Sequence, residues 1–534
     1  TLSSSSAASD VYKRQQLIAR IAAVGGVQAA SAVMGLFGAS ATAQAFEENY
    51  AALPTAALGK GASVVVIGAG IGGLVSAYEL SKAGFKVTLL EARDRVGGRN
   101  WTVRGGDRVE YSDGSTQVAQ FGEGFYLNAG AGRLPSHHQL MLGYCRELGV
   151  ELEVLVNTSR NALVRPDLDQ PALQIRQAVN DSRGHFSELL AKAVNRHALD
   201  QELTPADRSN LLSFLKTWGD LSDKLEYLGS ARSGYKVWPG AGDQLAQKND
   251  PLPLQTLLNP ALTTALMIDE YPEFSPTMFQ PVGGMDHIPQ AFARRLKGQL
   301  RLHSEVRSIS NQADSAEVVY LDRRTGRTHN LKADYVISSL PLPLLAKVQN
   351  NFSAPVRQAI GAVQFGYANK VAWQSRRFWE SQYQIYGGLS FINQEASGLW
   401  YPSGGFNQAE GVLVAAYNNG ETARRFGEKT LAQQIEISRQ AVELLHPGHS
   451  QELRNPLVIA WSKIPYNFGP WISHEVAEPD YGLLNQPQGR VYLTSDGLAH
   501  SGVGIWQEAA AGAARRVVRQ LFQRAQGSSL QQTA

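Results

Sequence analysis

Apolar and polar positions along the chain alternate between two rhythms, strand-like and helical. The β-branched run Val64-Val65-Val66-Ile67 has no polar interruption, which suits a strand covered on both faces of a parallel sheet. Apolar spacing then becomes helical over residues 74–83, and a second apolar strand, 87–90, ends on Glu91. Helical spacing returns at 139–148, and residues 151–200 mix short apolar runs with amphipathic helix patterns. Thr204-Pro-Ala-Asp supplies an N-cap and a first-turn proline, and the helical period runs on to about Leu228. Strand-and-helix alternation resumes at Phe279. A turn leads to a helix at 290–296, a strand at 300–309, a hairpin through 323–326 and a strand at 335–339. Aromatic-rich strand patterns fill 366–417, a helix fits 428–445, and a strand ending at Asp496 precedes a closing helix over 506–522. No internal repeat is visible.

These rhythms predict an α/β protein. A Rossmann-like dinucleotide-binding domain is assembled from three segments, 60–102, 280–345 and 456–525. A mixed α+β substrate domain takes 103–150 and 346–455, and a helical insertion takes 151–279. Ligands would meet the nucleotide at the junction of the lobes. The first 45 residues stand apart, and the Ser/Ala-rich opening, 1–10, is set aside as foreign to the fold. Lys13-Arg14 followed by Gln-Gln-Leu-Ile leads an uncharged run, 21–45, that ends in small residues near Ala45. The pattern resembles a secretory signal of blurred twin-arginine type, so export to the periplasm or beyond is expected; its weak hydrophobicity argues against the alternative, a membrane anchor.

A formal charge of +3 is too small to argue for nucleic acid as a partner. The single cysteine, Cys145, forbids an internal disulfide, and the eleven histidines fall at no zinc-ligand spacing, so no metal is expected. Chemistry concentrates after the first strand. Gly68, Gly70 and Gly73, with Ile71 and Gly72 between them, permit a tight turn and close approach of a pyrophosphate to the backbone. Glu91 stands where a carboxylate accepts hydrogen bonds from ribose hydroxyls.

The longer stretch Glu91-Ala-Arg-Asp-Arg-Val-Gly-Gly-Arg99 resembles the signature of the flavin-containing amine oxidase superfamily. Gly130-Ala-Gly-Arg-Leu-Pro135, Gln280-Pro-Val-Gly-Gly284, Asn369-Lys-Val-Ala-Trp373, Thr494-Ser-Asp496 and Trp506-Gln-Glu508 agree in order and spacing. The likeness covers residues 60–525 and is nearest to the bacterial and venom L-amino-acid oxidases. It implies FAD and oxidation of a Cα–N bond to a keto acid, ammonia and hydrogen peroxide by hydride transfer from Cα. The implied partners are an amino acid and molecular oxygen, with a homodimer open as the assembly.

Carried over by position, Glu91 and Ala92 would hold the adenosine end, Arg99 the pyrophosphate or flavin, Val306 the adenine and Asp496 the ribityl–pyrophosphate. Gly130, Ala131 and Gly132 would line the flavin, and Ile505 and Trp506 would begin the helix beside it. Arg133 would grip a substrate carboxylate, by two parallel hydrogen bonds; the alternative is a bond to phosphate or a nearby acid. Tyr401 would add a second donor, unless it is a core tyrosine. Lys370 would hold a water at the flavin and assist oxygen, unless it only edges a strand. Trp506 would wall the substrate or simply pack. Ile505 replaces the glycine of relatives and would narrow the pocket. Cys145 is far from the position of a cysteinyl flavin, so non-covalent FAD is implied. A carboxylate-free amine oxidase, a tryptophan 2-monooxygenase-like enzyme and a flavin-binding protein without oxidase activity remain alternatives.

Overall fold

In a computed structural model, the structure describes residue 53 and residues 58–59, 61–499 and 506–532. The signal-like stretch 1–45 and Ile505 lie outside the described residues.

Strand β1 (Ser63–Ile67) leads through the glycine turn into helix α1 (Ile71–Lys82) and strand β2 (Lys86–Leu90). Three distant pieces complete the sheet: β3 (Leu300–Arg301), β4 (Tyr335–Ser338) and β5 (Val491–Leu493), in the order β3-β2-β1-β4-β5, all parallel. Val64 pairs with Val87 on one side and Tyr335 on the other. Helix α2 (Gln507–Gln532) follows β5 after residues outside the described set and packs on α1: a Cβ on Gly72 would lie 3.5 Å from the Ala510 carbonyl. Val66, Leu74, Leu80 and Leu89 are wholly buried in the core shared by β1, α1 and β2. Burying each such side chain contributes about 1.5–3 kcal/mol, which is why an uninterrupted apolar run becomes a central strand.

A seven-stranded sheet forms the second lobe, with Gly398–Tyr401, Glu410–Asn419 and Ala368–Arg376 adjacent at its centre. Its far edge is built from Leu163–Arg165 and Leu173–Gln174, so the stretch read as a helical insertion opens as strand. Helices follow at Ile175–Asn195 and Pro205–Gly219. The second carries the expected cap: Thr204 and Asp207 bond each other's backbone reciprocally. It stops at Gly219, short of Leu228, because Asp220 turns left-handed at φ 54°. The expected strand 300–309 is two strands. His303, at φ 57°, breaks it, and Ser304–Asn311 joins a separate four-stranded sheet. Among the described residues no helix is long and apolar enough to cross a membrane.

Candidate active site

A cavity of about 430 Å³ runs between the lobes, from the glycine turn and the end of β2 to the centre of the large sheet. The turn's glycines divide the work. Gly68, Gly70 and Gly72 line the cavity, and a Cβ on Gly70 would meet nothing within 4 Å. Gly73 faces the other way; a Cβ there would sit 1.8 Å from the Gly68 carbonyl, so it is the glycine that lets α1 pack on its strand. Gly130 is similarly enforced, with a Cβ falling 1.8 Å from the Arg99 carbonyl. Ile71, Ala92, Ala131, Gly132 and Val306 also line the cavity.

Glu91, 5% exposed, accepts from the Ala69 amide at 2.8 Å and the Arg93 amide at 3.0 Å, so its carboxylate fixes the turn and faces the cavity. Arg99 and Asp496, separate expectations in the sequence, are partners here: the guanidinium holds the carboxylate by two bonds of 2.8 and 2.6 Å. A narrow backbone cradle, an acid at the end of β2 and an elongated cavity fit a flavin dinucleotide. Replacing Glu91 by glutamine is expected to weaken binding of a flavin dinucleotide by about tenfold, the loss of about 1.4 kcal/mol from a charge-assisted hydrogen bond; fluorescence titration of apoprotein with FAD measures it.

Arg133 lies at the far end, 5% exposed. Burial pushes its guanidinium below the usual range. Its one described hydrogen bond is donated to Asn157 Oδ1 at 2.7 Å, and among the described residues no carboxylate pairs with it. Trp400 stacks 4.3 Å away, Phe274 lies at 5.2 Å and Trp506 at 6.0 Å. Trp506 lines the cavity with φ 76°, and Gln507 begins α2.

Lys370 sits on Ala368–Arg376, an interior strand one in from the edge of the large sheet, paired with Tyr417. Its ammonium donates to the carbonyls of Asn128 at 2.7 Å and Gly130 at 2.8 Å. Burial, then the charge of Arg133, pulls its pKa down to about 7. The amine thus exchanges a proton near neutrality at the cavity wall.

Tyr401 is a correction. Side chains alternate along a strand, and Trp400, not Tyr401, takes the cavity face. Tyr401 is wholly buried on the opposite face, its hydroxyl 2.6 Å from His446 Nε2 and 2.8 Å from Ser390 Oγ. Burial lowers the His446 pKa to about 3, so this imidazole is neutral. Tyr401→Phe therefore leaves the KM for substrate unchanged and costs about 1–3 kcal/mol of stability through the unpaired His446 nitrogen; steady-state kinetics beside thermal unfolding checks both.

Sequence reasoning missed Asn157, Phe274, Trp400, Tyr417 and Arg93. Trp400 adjoins Tyr401, a residue already singled out, and Tyr417 could have been found as a strand neighbour of Lys370. Asn157 and Phe274 come from the 151–279 segment and carry no motif. Arg93 lines the nucleotide end, donating to Pro465 O and Asn467 Oδ1.

A family model described as flavin containing amine oxidoreductase matches residues 71–522. L-amino-acid oxidase of Vipera ammodytes ammodytes is 26% identical over 460 residues, covering 82% of this chain and 88% of its own. L-amino-acid oxidase of Siganus canaliculatus is 26% identical over 480 residues, covering 84% and 82%. Among solved structures, a putrescine oxidase mutant superposes with a TM-score of 0.58 at 16% identity, covering 87% of this chain and 99% of its own. That likeness speaks for the fold alone.

Proposed function

Because this chain belongs to the flavin-containing amine oxidoreductases, we propose that it holds FAD non-covalently and oxidises an L-amino acid. The products are a keto acid, ammonia and hydrogen peroxide, from the amino acid, oxygen and water. The observation that carries this reading is Arg133: a buried guanidinium at the cavity wall with no acid partner among the described residues. Such a charge is costly unless a ligand answers it, and a carboxylate matches its donor fork.

The described acids lining the cavity are all engaged already. Glu91 holds the turn, Asp496 is taken by Arg99, and Glu305 accepts from Tyr466 at 2.9 Å and pairs with Arg307 at 3.1 Å. None is left to hold the second ammonium of a diamine, which favours an amino acid over a substrate like putrescine.

Bound flavin supplies the two-electron acceptor and the route of those electrons to oxygen. The chain's own residues do the positioning. Arg133, kept in place by Asn157, anchors the carboxylate, and the Trp400, Trp506 and Phe274 rings exclude water around it. Anchoring at one end fixes Cα relative to the cavity wall, so the rate gain is chiefly orientation. Lys370 keeps an amine near neutrality where a proton is exchanged.

The test is a screen of the twenty amino acids and their decarboxylated amines with the flavin-loaded protein, following peroxide and keto acid. Peroxide with keto acid supports the proposal. Turnover of amines alone assigns a carboxylate-free amine oxidase, and an amide product a monooxygenase. Failure of every amino acid to bleach the flavin anaerobically leaves a flavin-binding protein without oxidase activity.

A further inference from the structure

Beside the substrate end, outside the cavity, two adjacent histidines converge on one carboxylate. His137 Nε2 lies 3.1 Å from Glu273 Oε1, and His138 Nε2 lies 3.0 Å from Glu273 Oε2. The three offer ligand atoms that all fall within 4.8 Å of one another. The rings stand nearly perpendicular, at 86°, so both Nε2 atoms address the carboxylate without stacking. We propose that His137, His138 and Glu273 form a binding site for a divalent cation of the zinc class.

The geometry is close to what such an ion needs. Bonds of about 2.0–2.2 Å from a tetrahedral zinc ion place its ligand atoms about 3.3–3.6 Å apart. The two histidine–carboxylate separations, 3.1 and 3.0 Å, need open by only a few tenths of an ångström, while the widest spread of the three ligand atoms, within 4.8 Å, has to close by about an ångström. Two imidazoles and one carboxylate select zinc or copper over magnesium or calcium, and three protein ligands leave a fourth position for water.

Access and anchoring are both present. The His138 side chain is 1% exposed and holds its place, while His137 is 40% and Glu273 23% exposed, which gives an entry path. His138 Nδ1 is buried with no hydrogen-bond partner. Ligation through Nε2 puts the ring proton on Nδ1, which breaks no bond there but leaves a buried donor without an acceptor, a cost that the ion's binding must exceed. His138 also precedes the Gln139–Leu148 helix, whose positive end would oppose a cation. The Glu508 carboxylate already answers it, accepting from the amides of Leu140 and Met141 at 2.9 Å each.

An ion here would tie the helix start to the Pro272–Phe274 turn. Phe274 packs on Arg133, and the His138 ring centroid lies 6.3 Å from that of Trp506, so the ion would brace the outer wall of the substrate end.

The experiment is isothermal titration of chelator-stripped, flavin-loaded protein with zinc chloride at pH 7.5. Binding is read without turnover, so the outcome is independent of what the enzyme oxidises. One saturable site is expected in the unaltered protein, weakened at least about tenfold in both His137→Ala and Glu273→Gln, with no competition from magnesium. Retained flavin absorbance shows that the variants are folded; His137, the more exposed of the two, is the safer. Absence of saturable binding in the unaltered protein overturns the proposal. So does unaltered affinity in either folded variant, which would place the zinc at other histidines.

Discussion

Arg133→Ala lowers kcat/KM for every amino acid substrate by about 10²–10⁴. The estimate follows from the charge pair: removing one partner of a buried, hydrogen-bonded ion pair costs about 3–5 kcal/mol, and each 1.4 kcal/mol is worth about tenfold in rate. The substitution also opens a space beside Trp400, so loss of activity alone would not prove carboxylate binding. The discriminating comparison is each amino acid against its decarboxylated amine. With the guanidinium gone, the amine keeps its rate relative to the unaltered enzyme while the amino acid loses its advantage. Equal losses on both would show that Arg133 only supports the wall. Arg133→Lys falls between, because it restores charge without the planar fork.

Lys370→Met slows the oxygen-dependent half of turnover by about 10², the typical cost of deleting one preorganised donor from developing negative charge. Anaerobic oxidation of the amino acid changes little. The pH profile supplies the second signature. With its pKa pulled down to about 7, the amine is protonated below that pH and neutral above it. A cation favours electron transfer to oxygen, so the oxygen step slows as pH rises through about 7, and Lys370→Met removes the inflection. A carboxylate bound at Arg133 neutralises one of the two causes of the lowered pKa, so the inflection moves upward when substrate is saturating. Stopped-flow reoxidation at varied pH measures each part; a profile unchanged by the substitution would sink the role.

What was legible in the sequence was local. The strand, glycine turn, helix and acid from Ser63 to Glu91 follow one another along the chain, and each carries its own physical signal: β-branched run, glycines, 3.6-residue spacing and terminal carboxylate. Gly73 was legible in the spacing of the glycine turn and Gly130 in the family resemblance, and the structure supplies the reason, since a side chain at either would strike a backbone carbonyl. Legibility ended where neighbours are set by the other lobe. Trp400 and Tyr401 are consecutive aromatics, and which of them meets Arg133 depends on the face that the sheet turns to the cavity, a property of register across strands. Asn157 reaches Arg133 from a segment whose pattern showed only short apolar runs and helices. His137 and His138 meet Glu273 across more than one hundred residues, so spacing along the chain could not reveal them.

The scattered origin of the parallel sheet also governs how the protein is made. β1 and β2 emerge early, yet β1 finds its other neighbour only when β4 arrives, and β4 is flanked by β5 only after Val491. At about 5–20 residues per second, synthesis takes roughly 20–90 s to pass from the first strand to the last. Until β4 is made, the apolar edge of β1 is an unpaired template for misassociation, and from then until β5 is made the open edge is that of β4. Contacts this far apart in sequence make for slow closure of the fold. Asp496 and α2 follow every other clamp element along the chain, so the nucleotide clamp closes only once α2 has been made. Flavin supplied during expression is then expected to raise the yield of soluble protein, because a ligand that binds only the closed clamp stabilises the folded chain.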